Sequence, residues 1–144
     1  MDQVLPSSED FESGGNHFAW SARDDLLGKS LDEVEAMFRH CSLVRAMDLD
    51  DMGPAAFRFY VPAAIAYVRS ADADRDSDVI NYLASSFQRH LQYNRTEFVS
   101  LAPSLANFCS YVASNIERFD ASPEIYGDLQ SVYTTLAAAF RDLA

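Results

Sequence analysis

Large apolar residues recur at three- and four-residue intervals through the second half of the chain. Leu101, Leu105, Phe108, Val112, Ile116 and Phe119 form one stripe. Val79, Ile80, Leu83, Phe87 and Leu91 form another, and Ile125, Leu129, Val132, Leu136, Phe140 and Leu143 a third. That spacing puts each set on one face of a helix. No segment alternates apolar and polar residues with a period of two, as a half-buried strand requires. The expected fold class is therefore all-α, a single-domain bundle of about five or six helices.

Local signals place the helix ends. Ser30, followed by Glu33, is a capping box, so a helix is expected from Leu31 to Val44 with Cys41 on its apolar stripe. Met47 to Pro54 reads as a loop. Pro62 lacks an amide hydrogen, so a kink or two short helices are expected around Tyr60 and Val61. Ser122, Pro123 and Glu124 supply a cap, a first-position proline and an acid, and are expected to open the last helix. Residues 1–22 are expected to be a mobile acidic N-terminal arm and residues 23–144 the helical domain.

The chain has 22 acidic and 11 basic residues, a formal net charge of −11. That charge disfavours nucleic acid and anionic membrane as partners. Phe98 to Ile116 is a 19-residue stretch without a charge, but it holds four serines, two asparagines and Pro103. It reads as a buried amphipathic helix and not as a membrane span. The N-terminus shows neither a basic start nor an apolar run, so no secretory leader is expected and the cytoplasm is the expected compartment. Cys41 and Cys109 are too few for a disulfide framework and are expected to be buried free thiols.

Candidate chemistry is sparse. His17, His40 and His90 are not spaced as metal ligands, and no nucleophile elbow, phosphate loop or dinucleotide fingerprint occurs. Asp72, Asp74, Asp76 and Asp78 alternate like the start of a calcium loop. Ser77 stands where that loop needs glycine, Leu83 where it needs glutamate, and Arg75 places a positive charge inside. No metal, cofactor or catalytic residue is expected. The other readings of these carboxylates are a solvated connector and a face neutralised by a basic partner. Residues 1–78 hold 16 acids and 7 bases, against 6 and 4 in residues 79–144, which points to the N-terminal half as the contacting one.

The most distinctive run is Met52-Gly53-Pro54-Ala55-Ala56-Phe57-Arg58-Phe59-Tyr60-Val61-Pro62-Ala63. It resembles a family of small helical bacterial proteins of unknown function that carry an aromatic-Arg-aromatic-Tyr-Leu-Pro-Ala signature, with Val61 here in place of leucine. Some members of that family resemble immunity proteins to secreted toxins. The resemblance implies a non-catalytic protein that neutralises a cognate toxin by direct binding, and the acidity of the chain points to a basic face on that toxin. Asp48, Asp50, Asp51, Arg58, Asp72, Asp74, Asp76 and Asp78 are the expected partner-binding residues. The alternative is a self-associating structural or regulatory module, such as a homodimer, with no toxin.

Overall fold

The structure, a computed structural model, describes residues 4–11 and 19–144. Among them it contains eight α-helices, four short 3-10 turns and no strand, so the fold is all-α. Two compact units share the chain, residues 1–69 and residues 70–144.

In the first unit the helices are α1 (Ala19–Leu26), α2 (Leu31–His40), α3 (Ser42–Asp51) and α4 (Pro54–Arg69). Gly28 ends α1 at φ +83, a conformation that suits glycine. The capping box then starts α2: the Glu33 amide donates to Ser30 Oγ (3.2 Å) and the Ser30 amide to Glu33 Oε1 (3.1 Å). The single helix expected from Leu31 to Val44 is broken at Cys41, whose backbone (φ −155, ψ 81) leaves the helical region. Cys41 is exposed, not in the core. The expected loop after Met47 is largely helix, because α3 buries Ala46 and Leu49 as an extra core-facing turn. α4 is one helix of 16 residues with Pro62 inside it. Pro62 is exposed, so the missing amide bond lies on the solvent side, while Phe57, Tyr60, Val61, Ala64 and Val68 face the core.

Part of the expected mobile arm is docked. Ser8–Phe11 forms a 3-10 turn, Phe11 is 1% exposed, and its carbonyl accepts from the Gly53 amide (2.8 Å). Its ring lies 6.1 Å from that of Tyr60. Residues 1–3 and 12–18 of the arm lie outside the described residues. The Tyr60 hydroxyl, fully buried, reaches the Leu26 and Lys29 carbonyls, each at 2.9 Å, and so ties α4 to the end of α1. Burial pushes its pKa up to about 12.

The second unit holds α5 (Ser77–Tyr93), α6 (Ala102–Ser114), the one-turn α7 (Pro123–Tyr126) and α8 (Leu129–Leu143). α6 packs along α8, and α5 also packs on α8. Phe87 of α5 makes edge contacts with Phe108 of α6 (6.1 Å) and Phe140 of α8 (5.7 Å). Tyr133 is fully buried and donates to the Ile80 carbonyl at 2.5 Å. Cys109 is buried, which raises its thiol pKa to about 12 and keeps it protonated.

The last helix departs from expectation. Ser122-Pro123-Glu124 opens only α7, Gly127 breaks the chain at φ 74, and Asp128 caps α8 by accepting from the Ser131 amide (3.1 Å). Ile125, expected on the core stripe, is 74% exposed as a result. The uncharged stretch Phe98 to Ile116 is divided between 3-10 turns and α6, and no helix among the described residues is long and apolar enough to cross a membrane.

Candidate functional site

The eight expected partner-binding residues fall in both units. Asp48, Asp50, Asp51 and Arg58 belong to the first, and the Asp72–Asp78 series to the second. This division removes the charge asymmetry drawn at residue 78. Residues 1–69 carry 12 acids and 6 bases, residues 70–144 carry 10 and 5, and so the ratio is the same in each.

Asp48 cannot meet a partner. It is 4% exposed, and its Oδ2 lies 3.3 Å from Arg45 Nε. Arg45 also reaches Asp25 Oδ2 at 3.2 Å, so one guanidinium of α3 serves two carboxylates. Burial raises the Asp48 pKa from 3.8 to about 7, against the attraction of Arg45. The alternation of acids in Asp48-Leu49-Asp50-Asp51 hid this, because the helix turns Asp48 inward beside Leu49. Asp50 and Asp51 are half-buried on the last turn of α3, and Arg58 is exposed on α4.

The connector Asp72–Asp78 is an ordered loop. Asp72 is exposed in the 3-10 turn Ala71–Ala73. Asp74, 55% exposed, pairs with Arg118 Nε. Asp76 caps α5 by accepting from the Val79 amide (3.3 Å). Asp78, exposed, accepts from the Tyr126 hydroxyl (2.6 Å), which in turn accepts from Ser77 Oγ (3.1 Å). The bond to Asp78 holds the Tyr126 phenol pKa above its ordinary value. The loop turns at Arg75, a non-glycine residue at φ 68, whose amide donates to the Arg118 carbonyl (2.9 Å).

Arg118 is the organising residue, and reading the sequence did not single it out. From the 3-10 turn Ile116–Phe119 its guanidinium reaches Asp74, the Ser70 carbonyl and the Tyr111 hydroxyl (2.5 Å), with its carbon 4.8 Å from the Phe119 ring centroid. The cation inside this acidic loop is thus a guanidinium of the same chain. Arg118 and Asp74 lie 44 residues apart, and no local spacing signals such a pair.

His90 is buried, with its ring 4.9 Å from Phe98 and Nδ1 3.1 Å from Asn94 Nδ2. Burial first, and Arg89 second, lower its pKa to about 3, so it is neutral at ordinary pH. Among the described residues no group of three or more His, Cys, Asp or Glu side chains is placed to hold a metal ion. Comparison with family models, with curated proteins and with solved structures gives no match. The resemblance carried by Met52 to Ala63 therefore rests on those residues alone.

Proposed function

We propose that this chain is a non-catalytic binding protein that inhibits a toxin by docking carboxylates onto its basic face, as an immunity protein does. The observation that carries the reading is the pre-ordered state of the Asp72–Asp78 loop. Arg118, the Val79 amide and Tyr126 hold Asp74, Asp76 and Asp78 in place, while Asp72, Asp74 and Asp78 are still exposed. A surface already ordered loses little entropy on docking, and a net charge of −11 steers a basic partner toward it. Asp50, Asp51 and Arg58 are further contact candidates on the first unit, and Asp48 is withdrawn from the set.

The test is capture of partners by the tagged chain at low and at high salt, followed by co-expression. A single stoichiometric partner, released by salt, lethal alone and harmless beside this chain, supports the reading. Asp72→Lys is then expected to slow association about tenfold. An affinity unchanged by salt overturns the acidic contact face. The alternative of a self-associating module has in its favour Leu43 and Met47, one turn apart and exposed on α3. A concentration-dependent dimer with no other partner would establish it.

A further inference from the structure

Within the second unit, α5 and α8 leave an open groove of about 480 Å³ between them. Leu91 of α5 and Val132, Leu136 and Ala139 of α8 make its apolar walls. Gln88 and Thr135 stand on its polar rim. Its lining includes one charged residue, Arg95, at the end of the α5 side. No carboxylate lines it, in a chain where acids outnumber bases two to one.

Arg95 differs from the arginines that bind neighbouring acids. Arg39 pairs with Glu35, Arg45 with Asp25 and Asp48, and Arg118 with Asp74. The bond of Arg95 is from Nε to the Leu91 carbonyl (3.3 Å), one turn back. That bond holds the guanidinium over the groove end and leaves its terminal nitrogens for another acceptor. The Arg95 guanidinium is the one charge in the lining, and the Asp128 carboxylate outside the lining is already bonded by the Ser131 amide and hydroxyl (3.1 and 2.8 Å). The volume lies within the range of small-molecule sites. α5 carries the wall from Gln88 to Tyr93 over five helical steps, about 7.5 Å, and the chain continues past Asn94 to Arg95, which leaves room for an extended medium-chain acyl tail.

We propose that this groove binds a medium-chain fatty acid, with its tail along Leu91, Val132 and Leu136 and its carboxylate on Arg95. The site is independent of the acidic loop and of any toxin partner.

The probes are octanoate, octanamide and a short peptide ending in leucine with a free carboxylate. Each is titrated into the full chain while backbone amide resonances are followed. Octanoate is expected to saturate at or below about 1 mM and to shift residues of α5 and α8 around the groove. Octanamide should bind about five- to tenfold more weakly, and Arg95→Gln should weaken octanoate by a similar factor while leaving octanamide unchanged. Thr135→Trp, at an exposed position on the rim, should block both ligands. Arg95→Gln remains decisive if the tryptophan variant does not fold. Non-saturating shifts, shifts elsewhere in the chain, or equal affinity for octanoate and octanamide would overturn the proposal. Tighter binding of the leucine peptide would also overturn it, and would reassign the groove to a protein C-terminus.

Discussion

Asp48 brings a carboxyl into the interior of the first unit, and its protonation state there is linked to folding. Burial raises its pKa from 3.8 to about 7, with Arg45 3.3 Å away opposing the shift. A raised folded-state pKa means that the folded chain binds this proton more tightly than the unfolded chain does. The stabilising contribution is complete below pH 3.8 and is lost as pH rises through about 7. Asp48→Asn removes the titration. The variant is expected to gain stability relative to the parent between pH 5 and pH 8, by on the order of a few kcal/mol. Urea unfolding of both proteins at the two pH values measures this difference. Glu33, Glu124 and Asp128 do not obscure it. Their pKa values are lowered by hydrogen bonds to Ser30, Ser122 and Ser131, so their contributions change below the ordinary carboxylate range. A parallel pH dependence for parent and variant would show that Asp48 ionises freely in the folded chain.

The break between α7 and α8 depends on one backbone conformation. Gly127 sits at φ 74, ψ −162, a region almost closed to residues with a β-carbon, yet a β-carbon there would meet nothing within 4 Å. Gly127→Ala is therefore a test of backbone strain without a steric clash, and should cost about 1–3 kcal/mol in chemical denaturation. A neutral result would mean that α7 and α8 are joined flexibly. Gly127 also shows what the sequence made legible. Signals confined to a few neighbours were readable: the Ser30–Glu33 box, the stripe of α5 and the Leu105–Phe108–Val112 part of the next stripe, in α6, are where the residues place them, while Ile116 and Phe119 fall in a separate 3-10 turn. Helix interruptions were less readable, because the apolar period runs unchanged through Cys41 and from Ile125 to Leu129, and chain geometry decides those breaks. Pro62 does not divide α4 into two short helices, since its amide deficit falls on the exposed side. In the candidate site the carboxylates of the Asp72–Asp78 loop were visible as a pattern. Their holders, Arg118 and Tyr126, come from 44 and 48 residues away and appear only once the fold is formed.

Across the whole molecule the dominant fact is excess negative charge: 22 acids against 11 bases, at the same two-to-one ratio in each unit. Ion pairs such as Arg39–Glu35 and Arg118–Asp74 are formed at surfaces, where each contributes no more than about 1 kcal/mol and is weakened by salt. Repulsion among the remaining carboxylates acts over many more pairs and opposes compaction. Salt therefore acts in two directions, and the count decides which prevails. Raising ionic strength from about 0.01 M to 0.15 M shortens the screening length from roughly 30 Å to 8 Å, which suppresses long-range repulsion while contacts near 3 Å lose less. The melting temperature at pH 7.5 is expected to rise by about 2–4 °C over that range, as for a gain near 1 kcal/mol in a chain of this size. Equal shifts in sodium chloride and potassium chloride would identify screening rather than binding of one ion. A fall in melting temperature would mean that the ion pairs outweigh the repulsion. The excess charge would then impose no folding penalty, and its retention would need no partner to explain it.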